Sequence, residues 1–330
     1  MNERFHRVTR QNPCPICGKP DWCAYNSRVA ICMRVQSPIA TNNGGWLHKL
    51  TDKVSLPPSQ EQIETKRASN EVLDSIYRKV LDILSLSSKH QKDLENRGMT
   101  SKEIQDGLYK TLPGDRYHVT CQFTPEEIEG VPGFGIKKDR VVFAGRPGLL
   151  IPCISPESPE GHIVALVNRP DIQEGGKYMF ISSRWLERGA SPGAPLHIAN
   201  PKDKIKDEVY IVEGPLKANI VASRLRATVI AVPGVANWKP LLKLNLPQKI
   251  NMAFDSDYEN FQVRYHARAL ANALLDRGHD VKAVIWDKSK AKGPDDALVI
   301  GLPFKYVKLR KKALPIQSAQ KNERRKNNAN

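Results

Sequence analysis

The chain has 330 residues, of which 40% are apolar and 26% charged, enough apolar material for two or three folded units and too much for a wholly disordered chain. Lys and Arg number 51 against 35 Asp and Glu, a net charge of +16 that points to a polyanionic partner. No run approaches the ~18 to 20 consecutive apolar residues of a membrane span, and the polar stretch Met1 to Arg10 has no apolar signal segment, so a membrane protein is excluded and a cytoplasmic location is expected.

Residues 1–50 are rich in cysteine and contain two strand-like runs, WCAYN and VAICMRV, around a turn. Residues 51–70 are polar, include a Pro pair and lack an apolar period, as a linker does. From Glu71 a helix is expected, because Val72, Ile76, Val80, Ile83 and Leu84 recur at helical spacing, and Thr100 to Glu103 has the form of a capping box opening a second short helix. Beyond Pro113 come short β-rich runs (RVVFAG, GLLIPCI, HIVALVNR, YMFIS) between Gly and Pro clusters, the pattern of a small mixed sheet. GVPGFG at 130–135 reads as a loop, and Tyr178, Trp185 and Trp238 as buried aromatics before base-stacking ones.

From residue 206 the order becomes strand (VYIVEG), helix (LKANIVASRL), strand (TVIAV), strand (INMAFDSD), helix (NFQVRYHARALANALLDRG) and strand (VKAVIWD). Apolar strands alternating with amphipathic helices imply a mostly parallel, Rossmann-like sheet covered on both faces, with ligands at the carboxyl ends of its strands. The expected division is therefore 1–50, 51–70, 71–205, 206–301 and a basic, disordered tail at 302–330. That tail holds nine basic residues and one acidic residue, half of the net charge, and its ordinary role is a nonspecific nucleic-acid anchor. No internal repeat and no G-x4-G-K-[ST] motif occurs, so a built-in motor is not expected.

Four of the six cysteines fall in one cluster, Cys14, Cys17, Cys23 and Cys32, and in a reducing compartment such a cluster points to metal rather than to disulfides. Cys14-Pro-Ile-Cys17-Gly18 is the tight turn that sets two thiolates on one ion; Cys23 and Cys32 close a tetrahedral zinc ribbon, with His48 as the alternate fourth ligand. Four protein ligands leave no open position, so the zinc is expected to be structural. Cys121 and Cys153 read as plain core or surface residues.

Three acidic elements end strands or open helices: Glu213 with Gly214, Asp255 and Asp257 in FDSD, and Asp295 with Asp296 after Lys292-Gly293-Pro294. Alternate residues leaving a strand point to one side, and carboxylates gathered so suit magnesium or manganese and phosphoryl or nucleotidyl transfer.

The order E-G, D-x-D, D-D between Val209 and Ile300 resembles the toprim domain shared by topoisomerases and bacterial primases. That resemblance implies acid/base work for Glu213 and metal binding for Asp255, Asp257 and Asp295. Upstream, KDLENRGMTSKEI and GLLIPCISPESPEGHIVALVNRP followed by GGKYMFIS resemble segments of bacterial-type primases of phage and mobile elements that topoisomerases lack. With the cysteine cluster, the likeness runs from about Asn12 to Ile300: zinc ribbon, small α+β basic subdomain, toprim domain. It implies that Arg97, Arg169 and Lys177 face nucleotide or template phosphates. Primases often carry an Asp where this chain has Lys217, which here would bring a phosphate-binding charge. The activity so implied is primer synthesis from nucleoside triphosphates on a single-stranded DNA template, with a replicative helicase as a further partner. The alternatives are a catalytically lapsed DNA-binding accessory of a mobile element and a toprim nuclease.

Overall fold

The structure, a computed structural model, describes residues 5–39, 41, 45–51, 65–158, 160–172, 177–255 and 260–314. It divides into two compact units, residues 1–65 and 66–330. The division falls inside the expected linker. The second unit starts ahead of Glu71 because Arg67 donates to the carbonyl of Val164 and the Ala68 amide to that of Gly130.

In the first unit β1 (His6–Arg7), β2 (Ala24–Tyr25), β3 (Val29–Cys32) and β4 (Trp46–Lys49) form an antiparallel sheet in sequence order. Among the described residues its buried cluster is small: Val8 with Cys14, Cys23 and Cys32, flanked by Ile16, Cys17, Tyr25 and Met33. A core this small leaves much of the stability to whatever the thiols bind.

The second unit opens with α1 (Asn70–Ile83), α2 (Ser88–Asn96) and α3 (Ser101–Asp106), whose N-caps are Ser69, Ser87 and Thr100. The capping box at Thr100 and Glu103 is present. The buried stripe of α1 is Leu73, Ile76, Tyr77, Val80 and Leu81, while Val72 faces out. Burying five such side chains contributes on the order of 10 kcal/mol before chain entropy is subtracted. The Tyr77 hydroxyl, itself buried, donates to the Pro132 carbonyl at 2.8 Å.

Next come β5 (Lys110–Leu112), α4 (Tyr117–Thr120), β6 (Phe134–Lys137), β7 (Arg140–Phe143), β8 (Gly148–Ile154), β9 (Ile163–Pro170) and β10 (Met179–Phe180). They form a hairpin, β6-β7, and a sheet ordered β10-β9-β8-β5; the β-rich runs are strands as expected, but the sheet is antiparallel throughout and not mixed. The expected loop at 130–135 is only partly a loop: Phe134 begins β6 and is fully buried, its ring centre 4.9 Å from that of Phe123 and 4.6 Å from that of Phe143 in tilted contacts.

A six-stranded sheet follows, built from β11 (His197–Ala199), β12 (Lys206–Glu213), β13 (Ala227–Val232), β14 (Lys249–Met252), β15 (Asp280–Ile285) and β16 (Lys305–Lys308), with α5 (Pro215–Leu225), α6 (Phe261–Leu275) and α7 (Pro294–Val299). Its order is β11-β13-β12-β14-β15-β16, with the four central strands parallel and both edge strands antiparallel. Alternation along β12 places Val209 and Ile211 against Leu270, Ala271 and Leu274 of α6, and Tyr210 and Val212 against Ala218, Val221 and Ala222 of α5. Burial on both faces explains the near-continuous apolar runs of these strands.

Two expectations are corrected here. The sheet begins before residue 206, with β11, and it extends past 301, since Lys305–Lys308 pairs with Ile285 to Lys282 instead of lying in a disordered tail. Residues 315–330 of that tail lie outside the described residues. Leu216 and Ile220 of α5 share a core with Leu94, Met99, Ile104, Tyr109, Leu149, Ile151 and Val167, which fixes the preceding α+β region against the six-stranded sheet. Among the described residues no helix is long and apolar enough to cross a membrane.

Candidate functional site

The thiols of Cys14, Cys17, Cys23 and Cys32 all lie within 4.8 Å of one another, the one metal-ligating group of three or more found among the described residues. A tetrahedron with Zn–S bonds of about 2.3 Å has edges of about 3.8 Å. The Cys17 and Cys23 sulfurs stand 3.8 Å apart. The first turn is closed by the Gly18 amide bonding to the Cys14 carbonyl at 2.8 Å, with Gly18 at φ +66°, a conformation glycine adopts without strain. Backbone amides of Met33 and Val35 donate to the sulfurs of Cys23 (3.3 Å) and Cys32 (3.2 Å), which favours thiolates. Burial pushes the Cys23 thiol up to about 12; for Cys17 burial is outweighed by the Lys19 amide and neighbouring thiols, which bring it to about 7. The donor set fits zinc. His48 is not part of it: its Nε2 meets the Val35 carbonyl at 3.0 Å, because pairing of β4 with β3 carries the ring elsewhere.

In the second unit a cavity of about 380 Å³ opens at the carboxyl ends of the central strands. Glu213 reaches it as the last residue of β12, Asp255 from just beyond β14, and Asp295 and Asp296 from the first turn of α7. Gly214, at φ +79°, turns the chain from β12 directly into α5 and so brings Lys217 onto the same wall. Arg97, the C-cap of α2, and Lys177, Tyr178, Met179 and Phe180 line the same cavity. Tyr178 is 39% exposed and its neighbour Lys177 lies 5.8 Å from its ring centre, so this aromatic stands at the cavity instead of in the core. Trp185 is also exposed, whereas Trp238 packs partly buried against the sheet core.

The acidic wall is not a bare carboxylate cluster. Lys217 forms an ion pair with Asp255. Burial disfavours its charge, but Asp255, Asp295 and Glu213 outweigh burial and hold the ammonium above its ordinary pKa. Asp295 is 5% exposed and its buried Oδ1 has no hydrogen-bond partner. Burial lifts this carboxyl above the usual range, with Lys217 opposing and Asp296 adding to the effect. At Gly293 a Cβ would stand 2.4 Å from that Oδ1 and 3.3 Å from the Lys217 Nζ, so the missing side chain is what makes room for both groups. Asp257 lies outside the described residues.

On the cationic side, Lys177 is pulled below its ordinary pKa by burial first and then by Arg97 and Arg169. Mutually repelling cations beside a cavity favour an anion between them. Arg169 contributes charge but does not line the cavity: its guanidinium is paired with Asp93, which that contact holds below the usual carboxylate range. Sequence spacing gave no sign of that pairing, nor of Lys292, which lines the cavity next to Gly293. A second hollow, about 520 Å³, lies at the amino ends of the same strands, lined by Lys206, Glu208, Thr228 and Leu246 among others; ligands of parallel sheets sit at the other end.

The mixed α/β fold is similar to that of solved primase catalytic cores. Solved structures with this fold include the zinc-binding and RNA polymerase domains of the Aquifex aeolicus primase, at 18% identity and a TM-score of 0.53, covering 72% of this chain and 63% of that one. Others are the DnaG primase catalytic domain bound to single-stranded DNA (15% identity, TM-score 0.55, 70% of this chain and 75% of that one) and a DNA primase domain from Pseudomonas aeruginosa (18%, 0.53, 70% and 75%). The chain thus spans less than two thirds of that Aquifex aeolicus chain. No family model matches the sequence, and no curated protein matches it.

Proposed function

We propose that this protein is a DNA primase of the phage or mobile-element kind, which holds single-stranded DNA and joins nucleoside triphosphates at a toprim-like cavity. The observation that carries the reading is the mixed lining of one cavity: Glu213 and Asp255 at strand ends and Asp295 in the first turn of α7 share it with Arg97, Lys177 and Tyr178. Phosphates fit the cationic wall and a base or sugar fits the aromatic one. The solved neighbour bound to single-stranded DNA is in keeping with such a ligand.

The orphaned Oδ1 of Asp295 and the space left at Gly293 fit a hard cation, for which Asp255, Asp257 and Asp295 would be the holders. Magnesium or manganese, when bound, would stabilise charge on the attacking and leaving oxygens. The chain's own groups have separate tasks: Arg97 and Lys177 orient the triphosphate, and Glu213 handles the proton of the attacking hydroxyl. The cysteine ribbon, held by zinc, binds template. A replicative helicase belongs to the same proposal as partner.

The ion pair between Lys217 and Asp255 favours one second reading, a lapsed site that binds DNA without synthesis. Equilibrium binding of a nucleoside triphosphate tests the site common to both. Arg97→Ala and Lys177→Ala should each weaken it about tenfold, the worth of one charge-assisted contact, with Glu213→Gln nearly unchanged. Equal affinity in all four proteins would remove the cavity from consideration.

A further inference from the structure

A sheet edge left open presents unpaired amides and carbonyls to any extended chain, so most edges are kept short, covered or twisted away. The six-stranded sheet ends on such an edge at β16. The Leu309 amide donates to the Val281 carbonyl at 2.9 Å. In the register that pairs Lys282 with Lys308 and Ile285 with Lys305, this turns the backbone polar groups of Lys305 and Val307 toward β15 and those of Tyr306 and Lys308 away from it. The outward amides and carbonyls of Tyr306 and Lys308 meet no partner among the described residues. All four residues of β16 are exposed, Tyr306 at 42% and Val307 at 46%, and Ile285, 37% exposed, lies diagonal to Val307 on the same face. The opposite edge strand, β11, instead buries His197 and Ala199.

We propose that the β16 edge is a docking site for a partner protein, which adds an extended acidic segment to this sheet as a further strand. Such a strand supplies donors and acceptors to the outward groups of Tyr306 and Lys308, and an apolar side chain on it covers Ile285 and Val307. Charge selects the partner. Residues 305–312 contain Lys305, Lys308, Arg310, Lys311 and Lys312 and no acid. Asp280 engages Lys308 and Asp276 engages Lys311, which leaves Lys305, Arg310 and Lys312 without an acidic partner among the described residues. A second copy would set these cations against themselves, and residues 315–330, with Lys321, Arg324, Arg325 and Lys326 against Glu323, carry the same sign. A DNA backbone offers acceptors to the cations and amides but leaves the two outward carbonyls without donors. The inference stands apart from the cavity and holds whatever reaction the cavity performs.

The test is a titration of the full chain with a synthetic peptide of alternating glutamate and valine, read by binding and by amide hydrogen exchange at single residues. The peptide should bind and slow exchange at Tyr306 and Lys308 far more than at Val307, whose amide already serves β15. Its ester analogue, with oxygen in place of every backbone N–H and the same charge, should bind at least about tenfold more weakly. Lys308→Pro removes an outward amide and no bond to β15, and should bind the peptide about fivefold more weakly than Lys308→Ala, which loses the same side chain but keeps the amide. Where Lys308→Pro does not fold, the peptide and its ester on wild type carry the comparison. Equal affinity for peptide and ester would overturn the proposal, since charge alone would then explain the binding. Protection of the two amides by oligothymidylate and not by the peptide would overturn it too. So would protection in the free chain that grows with protein concentration, the mark of a second copy, or that disappears on truncation after Leu314, the mark of the chain's own end.

Discussion

Replacing Gly293 by Ala isolates the packing of the acidic wall from backbone effects. Gly293 has φ −104° and ψ 160°, extended geometry open to any residue, so the substitution adds no backbone strain. The new methyl would sit 2.4 Å from the Asp295 Oδ1, forcing that buried carboxylate to move by about 1 Å, and would press on the Lys217 Cε and Nζ at 3.3 Å. Overpacking of this kind costs about 1–3 kcal/mol. At about 2–4 °C per kcal/mol for a domain of this size, the melting temperature should fall by several degrees. Mn²⁺ affinity should fall with it, since the displaced oxygen is the proposed ligand. Gly234→Ala, whose Cβ would meet nothing nearer than the Asn237 Nδ2 at 3.7 Å, serves as the control and should change neither quantity. Wild-type melting and wild-type Mn²⁺ binding in Gly293→Ala would refute the placement of Asp295 and Lys217 described above.

Three further outcomes are expected. His197 is buried as the neutral ring, its Nδ1 accepting from the Ile154 amide at 3.0 Å and its Nε2 bonded to the Asn219 Oδ1 at 3.0 Å, and burial brings its pKa down to about 4. Because the folded pKa lies below the unfolded value near 6.5, stability is full above about pH 6.5 and is lost as pH falls toward 4, by roughly 3 kcal/mol. Urea unfolding of wild type and His197→Gln from pH 7 to 4.5 reads this, and identical pH dependence would contradict it. Cys14→Ser should release about one zinc per chain by elemental analysis and weaken template binding, with the melting transition of the 66–330 unit retained; a zinc-free folded wild type would contradict the cluster's role. Truncation after Leu314, which spares β16, removes Lys321, Arg324, Arg325 and Lys326 and should lower the salt slope of single-strand binding by at most about 3. An unaltered slope would mean that these residues do not touch DNA.

Much of this organisation was legible in the sequence, for identifiable reasons. The cysteine spacing is local, so its turn and hairpin could be read directly, although only pairing of β4 with β3 separates His48 from the thiols. The convergence of Glu213 and Asp255 followed from the topology of parallel strands, which delivers their carboxyl ends to one edge, whereas Asp295 arrives there on the first turn of α7. The edge strands β11 and β16 were hidden because three or four residues carry too little period, and all four of β16 are exposed. Long-range choices of partner were equally invisible: nothing in spacing assigns Arg169 to Asp93 or Lys217 to Asp255. Tyr178 was expected in a core, but β10 is an edge strand beside the cavity, and its flank is open.

The central claim is tested most directly by primer synthesis on single-stranded DNA that is saturated with protein, using labelled nucleotides and Mg²⁺ or Mn²⁺. Wild type should extend nucleotides into short primers, while Asp255→Ala, bound to the same template to the same extent, should make none. Wild type that saturates the strand yet yields no product with either metal would contradict the account.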